Sequence, residues 1–406
     1  MRLIANPLLF ASPSVELPSE SASPILMLSM RRVSDSVGYC FRYEFENIVA
    51  AMLGAEVAYV TSTEGLDLGR QVYKAVRYLT GSAEVAERIR PDLGSVPLHK
   101  EYELFLPFLN HPHEAHALNA LHGWRERTRF AACYLGEAYT GDLPRYLVEM
   151  LRKFDHIFVG VSGSVEAISN ICDRPCSYLP IGIDALKFSP GAHPPERSID
   201  ICSIGRRSAI THEALLRYSE KNALFYHYDT SKGGGRSPIS FRVTSFEEHR
   251  SLLANVLKRS RYFIANRAWV DRPALTGGRE EIPGRFYEGA AAGTIMLGEP
   301  PTTADFHDQF GWTDSIVATP FDEPRISQLI AKLDADPERV LRARIENIIN
   351  GLLRFDWVYR LRSMLEVAGL PVTTAMLERE AVLKARAEEI RALVAVPAAR
   401  PSALVR

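Results

Sequence analysis

The sequence predicts an α/β protein made of two doubly wound, Rossmann-like domains. Three observations carry this. Short apolar runs alternate with helical stretches along the chain, the pattern of a parallel sheet with helical crossovers. The plan repeats after residues 190–198 (PGAHPPERS), which hold three prolines and few apolar groups. The length, 406 residues, suits two domains of about 150–200 residues each.

The elements follow in order. Residues 1–23 are rich in Ser and Pro and read as a mobile tail. ILMLSM (25–30) is the first strand, and a helix follows with an apolar stripe through Phe41, Phe45, Ile48, Val49 and Met52. Gly54 stands where a left-handed cap ends a helix. EVAYVTS (56–62) is the second strand, and 64–100 reads as helical with poor patterning. ELFLPFL (103–109), RFAACYL (129–135) and HIFVGVS (156–162) are further strands, separated by helices at 113–122 and 144–153. The first domain is thus 24–180, and the linker is 181–198. The second domain, 199–353, repeats the alternation with strands at 198–205, 222–228, 262–266, 294–297 and 315–318. Helices are expected at 211–219, 247–259, 285–292 and 324–350. A helix at 354–370 and a charged C-terminal segment, 371–406, complete the chain. The last helix carries a stripe of Met376, Leu383, Ala387, Ile390 and Val394. Packing of that stripe on its own domain is favoured over a homodimer zipper, because fewer than four heptads are present.

Composition excludes several classes. The 46% hydrophobic content is ordinary for a globular protein. Lys and Arg number 48 against 49 Asp and Glu, so the net charge is −1 and no basic excess favours nucleic acid. The five cysteines are scattered. Cys172 and Cys176 lack a partner pair for a zinc site, so reduced buried thiols in a cytoplasmic protein are expected. No apolar run reaches the ~18 residues of a membrane span, and the N-terminal apolar piece is broken by Pro7 and Pro13. SKGGGRS (231–237) lacks the order of a phosphate-binding P-loop, and GxGxxG is absent after the first strand. A nucleoside triphosphatase and a nicotinamide dehydrogenase are therefore set aside.

The stretch 262–297 is the most informative. A strand (YFIAN) leads through a Gly- and Pro-rich loop to a short helix (RFYEGAAAG) and another strand (TIML). Strand ends and helix starts in such a sheet bind ligands, and a helix start suits phosphate. Glu280 and Glu288, separated by seven residues, flank that start and suit sugar hydroxyls. The segment resembles the C-terminal-domain signature of the group 1 glycosyltransferases of GT-B architecture, in which a Glu, seven residues and a second Glu run into a small-residue helix. YLPIGIDALKFSP (178–190) is similar to that family's interdomain segment, and DICSIGRR (200–207) to its first C-domain strand. The resemblance spans about residues 155–320.

It implies two Rossmann-like domains facing a central cleft and retaining transfer of a sugar from a nucleoside diphosphate donor. No cofactor or metal is implied beyond that donor substrate. The acceptor would be a small molecule, lipid or glycan, and the enzyme a hexosyltransferase in class. The resemblance places a diphosphate-binding arginine at Arg206, a ribose-binding carboxylate at Glu288 and a sugar contact at Glu280, with Glu281 an equal competitor by chemistry. Where the family has a lysine five positions after the arginine, this chain has Thr211. Arg207, Arg285 or Lys232 would then supply the second positive charge. Gly205 allows close backbone approach, and Gly284 opens the helix. In the first domain His111 or His113 would stand near the sugar, and Glu137 is a candidate acceptor contact or base. Asp35 and Gly38 would line the acceptor side. Two alternatives stay open: a sugar-nucleotide epimerase on the same plan, and a degenerate, non-catalytic relative serving as a partner or structural protein.

Overall fold

The computed structural model describes residues 15–17, 23–62, 64–89, 95–139, 143–191, 193–230 and 242–395, and only the backbone of residues 65, 66, 87, 113 and 393–395. The chain divides into two compact units, Met1–Pro180 with Met364–Pro371, and Ile181–Ser363 with Val372–Arg406.

The first unit holds strands β1 (Val15–Glu16), β2 (Ile25–Ser29), β3 (Glu56–Val60), β4 (Val96–Pro97), β5 (Tyr102–Phe105), β6 (Phe108–Leu109), β7 (Leu121–His122), β8 (Thr128–Leu135), β9 (His156–Val159) and β10 (Cys176–Tyr178). Its helices are α1 (Cys40–Leu53), α2 (Glu64–Thr80), α3 (Ala83–Ile89), α4 (Arg145–Leu151) and α5 (Val165–Cys172). The main sheet runs β1-β3-β2-β5-β8-β9-β10, with β6 beside β8. All pairings are parallel except β1 on β3. Every residue of β2 is buried, as a strand covered by helices on both faces must be. Gly54 caps α1 at φ 62°, as its position suggests.

Three sequence expectations change here. Val15–Glu16 pairs with Tyr59–Val60 rather than joining a loose tail, because Val15 buries its side chain in the core. The expected strand 103–109 is broken at 106–107, since Pro107 has no N–H to donate to a ladder. The helix at 113–122 is a 3₁₀ segment, Pro112–Ala120. Its Ala115, Ala117, Leu118 and Ala120 are all buried instead of forming one apolar stripe.

The second unit comprises α6 (Ala185–Phe188), β11 (Ile199–Ser203), α7 (Ala209–Asn222), β12 (Tyr226–Tyr228), α8 (Phe246–Lys258), β13 (Ser260–Ile264), α9 (Gly284–Ala292), β14 (Ile295–Gly298), α10 (Ala304–Phe310), β15 (Val317–Ala318), α11 (Ile326–Asp334), α12 (Pro337–Arg354), the start of α13 (Trp357–Ala368), and α14 (Thr374–Ala395). Its sheet is wholly parallel, in the order β12-β11-β13-β14-β15. The start of the expected linker is structured. Ile183 bridges Asp356, Asp184 caps α6, and Arg379 pairs with both carboxylates at 2.7 Å. The α14 stripe is used inside the chain: Met376, Leu383, Ala387 and Ile390 are buried and α14 packs along α12. The side chain of Val394 lies outside the described residues. Among the described residues no helix is long and apolar enough to cross a membrane.

Both sheets therefore reverse direction once: the first between β2 and β5, the second between β11 and β13. Crevices at strand C-termini beside such reversals are where ligands bind in this class.

The second crevice depends on a close approach at Gly298, where an added Cβ would stand 1.9 Å from the Ala265 carbonyl oxygen. Gly298→Ala is expected to lower the unfolding free energy by roughly 3 kcal/mol in urea titration. A loss under about 1 kcal/mol would mean that β13 and β14 are spaced differently.

Candidate functional site

In the second unit β11 delivers the chain into Gly205, Arg206 and Arg207. Gly205 has φ +84°, and an added Cβ would lie 3.0 Å from Arg285 Nη1, so both conformation and space favour glycine. Its N–H donates to Asp229 Oδ2 at 3.0 Å. Arg207 donates to the Asp229 carbonyl at 2.7 Å and lies 5.1 Å from the Tyr228 ring. Arg206 pairs with Asp271 at 3.0 Å and lies 3.8 Å from the centre of the Trp269 ring. Trp269 has φ 52°, an uncommon backbone for a bulky residue, and such strain clusters at functional sites.

Arg285, in the first turn of α9, donates to the Ile204 carbonyl at 2.7 Å. Burial pushes its pKa down, Glu288 opposes this, Arg206 lowers it further, and Asp229 opposes again. Arg206 and Arg285 thus share one neighbourhood. The N-cap of α9 is Pro283, and no side chain caps that helix start. Gly284 is its first residue.

The two signature carboxylates differ in setting. Glu288 is buried and ion-paired with Arg250 of α8, whose guanidinium packs 4.6 Å from the Phe188 ring. Glu280 is partly exposed and accepts from the Thr302 N–H and hydroxyl at 2.7 and 2.9 Å, with Arg267 3.6 Å away. Burial raises its pKa, but the Thr302 N–H, the Thr302 hydroxyl and Arg267 together bring it below the ordinary value of 4.5. Glu281 is buried, so it and Glu280 occupy different environments. Thr211 is buried and structural: its hydroxyl donates to the Phe321 carbonyl at 2.7 Å and accepts from the Glu323 N–H at 2.8 Å. Lys232 lies outside the described residues.

In the first unit the crevice beside β2 is filled by charge. Arg42 is fully buried and donates to Glu46 at 3.1 Å and to Glu114 at 2.7 Å. Ser29 donates to Glu46 at 2.5 Å, and the Asn110 N–H to Glu114 at 2.8 Å. Burial pushes the Tyr39 hydroxyl well up, and Glu114 adds to it. Beside this network His111 and Glu137 come together, both half-exposed. His111 Nδ1 is 3.3 Å from the Glu137 carbonyl and Nε2 is 3.9 Å from its carboxylate. Asn110 Nδ2 is 3.4 Å from Nε2, so a proton on Nδ1 satisfies both neighbours. The side chain of His113 lies outside the described residues. Asp35 is exposed in the loop before α1 and Gly38 in the 3₁₀ turn Val37–Tyr39, and nothing within 3.4 Å of an added Cβ demands glycine at 38.

The structure thus gathers Gly205, Arg206, Arg207 and Arg285 at one crevice and pairs His111 with Glu137. It adds residues that sequence reasoning passed over: Trp269, Asp271, Asp229, Arg250 and Arg267. Trp269 and Asp271 had one legible signal, their place in the loop after the third strand of the second sheet.

No protein-family model matches the sequence, and no curated protein matches it. Solved structures similar to the chain include a glycosyltransferase from Rickettsia africae ESF-5, at 9% identity and TM-score 0.49, covering 85% of this chain and 97% of that one. The UDP-forming α,α-trehalose-phosphate synthase from Burkholderia vietnamiensis matches at 11% identity and TM-score 0.49, covering 88% and 99%. Anabaena HepE, in complex with UDP and glucose, matches at 10% identity and TM-score 0.48, covering 85% and 99%. At such identities the roles of site residues rest on this chain's own geometry.

Two outcomes are expected. Glu114→Ala leaves the Arg42 charge buried with one carboxylate fewer, which should cost about 3–5 kcal/mol in chemical denaturation; a loss near zero would mean water reaches Arg42. The lowered pKa of Glu280 stabilises the folded state above its ordinary value of 4.5, and that stabilisation fades as pH falls through the lower folded value. The stability gap between the protein and Glu280→Gln should be full above the ordinary value of 4.5 and close as the pH falls below it. A gap that widened on acidification would contradict the assigned hydrogen bonds.

Proposed function

We propose that the protein is a glycosyltransferase that moves a sugar from a nucleoside diphosphate donor to an acceptor hydroxyl, without metal and with retention of configuration. The observation that carries the reading is the convergence of Arg206, Arg285 and the uncapped start of α9 at the β11/β13 reversal. Two guanidinium groups and a helix dipole make a strong diphosphate site. As the bond from the anomeric carbon to the diphosphate oxygen breaks, negative charge develops on the leaving group, and these are the groups assigned to neutralise it. Binding exchanges Asp271 for phosphate as the ionic partner of Arg206. Glu288 is assigned to the ribose hydroxyls, shared with Arg250, and Glu280 to the donor sugar. His111, held by Glu137, is assigned to the sugar or acceptor, together with the loop carrying Asp35 and Gly38. No nucleophilic side chain is assigned, which fits positioning and electrostatics as the main contributions. A hexosyl donor and a cytoplasmic setting complete the reading; all five cysteines are free thiols, as in a reducing compartment.

A second reading, a non-catalytic relative, has one observation in its favour: Arg206 and Glu288 both have ionic partners inside the protein.

Thermal shift and calorimetric titration with UDP, GDP, ADP, CMP and dTDP separate the two. A ligand specific to the native state raises the melting temperature. One nucleoside diphosphate should do so with or without EDTA, and Arg206→Ala and Arg285→Ala should each weaken it by about tenfold or more, roughly 1.4 kcal/mol. No shift with any nucleotide at millimolar concentration would leave the non-catalytic reading standing.

A further inference from the structure

The crevice at the end of β11 sets the guanidinium groups of Arg206, Arg207 and Arg285 against the carboxylates of Asp229 and Asp271. The two carboxylates are held differently. Asp229 accepts from the Gly205 N–H at 3.0 Å and pairs with Arg207 at 3.3 Å, so it is built into the turn after the strand. Among the described residues the Asp271 carboxylate has side-chain partners alone. Its Oδ1 stands 3.0 Å from Arg206 Nε, and its Oδ2 stands 3.7 Å from Arg272 Nε. The Asp271 side chain is 28% exposed and that of Arg272 57%. An ion pair so open to water contributes little to stability.

The backbone nevertheless holds this pair in place under strain. Trp269 takes φ 52°, and its ring lies 3.8 Å from the Arg206 guanidinium. The Arg272 N–H closes the turn on the Trp269 carbonyl at 2.8 Å. Residues 269–272 thus form a short turn that offers Arg206 one indole face and one carboxylate. Carboxylate and phosphate oxygens satisfy an arginine in the same way. Arg285 stands next to this contact, since a Cβ added at Gly205 would lie 3.0 Å from its Nη1.

We propose that Asp271 is an internal stand-in for phosphate that sets how tightly the crevice holds a diphosphate. The turn 269–272 latches Arg206 in the empty site, and an incoming diphosphate displaces the carboxylate, which passes wholly to Arg272 in solvent. The proposal rests on the diphosphate reading of this crevice. The closed latch lowers the apparent affinity by reducing the competent fraction. The carboxylate returns to Arg206 as the nucleoside diphosphate left after transfer departs, and so hastens product release.

The test is calorimetric titration of the full chain with UDP, GDP, ADP and inorganic pyrophosphate. It is run on the protein, Asp271→Asn, Arg206→Ala and the double variant. Asp271→Asn should tighten binding of the diphosphate probes by about threefold to tenfold, although it deletes an ion pair. In the Arg206→Ala background the same substitution should bring no such gain, because the latch acts through Arg206. A gain that persisted there would show Asp271 acting as a diffuse charge and would overturn the latch. Tryptophan emission should change on saturation with the binding probe, and that change should vanish in Trp269→Phe. Unchanged emission would mean that the turn stays in place, which also overturns the displacement. If circular dichroism melting shows Asp271→Asn to be unfolded, the emission of the unsubstituted protein decides. The two failures are distinguishable. No binding of any probe to any of the four proteins sinks the diphosphate reading and the latch with it. Binding to the protein that Asp271→Asn leaves equal or weaker sinks the latch alone.

Discussion

The second unit is organised around a repulsion. Burial lowers the tendency of Arg285 to hold its charge, and the neighbouring Arg206 lowers it further. Two like charges near a strand end persist only if the surroundings answer them. Arg206 has the Trp269 face and Asp271; Arg285 has the Ile204 carbonyl. Gly205 takes a left-handed backbone that leaves room for the Arg285 guanidinium, and Trp269 takes one that brings its indole beneath Arg206. These features cost conformational energy and give little packing in return. They hold two guanidinium groups in place at one strand end, as the proposed diphosphate site requires.

The first unit has the same strand reversal and uses it differently. Its crevice is occupied from within by Arg42, Glu46 and Glu114, tied to Ser29 and to the Asn110 N–H. A buried ionic cluster is weak evidence of stability but fixes geometry, because every partner is held in one place. What it fixes is the backbone at Asn110 and His111, so the imidazole stands on a rigid base while its ring faces a half-exposed carboxylate. One reversal thus gathers Arg206 and Arg285, and the other is filled by internal charge with His111 and Glu137 at its edge.

Much of this was legible beforehand, for physical reasons. The strands β2, β11, β13 and β14 are short, apolar and bounded by Gly, Pro or charge, so periodicity and punctuation locate them. Glu280, Glu288 and Arg206 could be singled out in the sequence because the resemblance that marks them is carried by local spacing. What escaped was what tertiary packing decides. The run ELFLPFL carries its own break in Pro107, which has no N–H for the ladder, and its apolar length hid that signal. Val15 looked like part of a loose tail because the core position it fills belongs to another segment. Trp269, Asp271 and Arg250 were missed because their importance lies in what they touch across the fold. The 3₁₀ segment at Pro112–Ala120 was taken for an α-helix, since buried residues on all sides leave no periodic trace.

Position 211 shows how one substitution fits the rest. The resemblance leads to a lysine here, and the chain has threonine. The site is buried, and the Thr211 hydroxyl both donates to Phe321 and accepts from Glu323, tying the start of α7 to the loop after β15. An ammonium group at that depth would lose its solvation and would add a third cation beside Arg206 and Arg285. One cation from the first turn of α7 and one from the first turn of α9 are alternative ways to set a second positive charge near that of Arg206. With Arg285 reaching the Ile204 carbonyl from the helix, a cation at 211 would be redundant for charge and unfavourable for burial. A small hydroxyl that fastens the loop suits that position better.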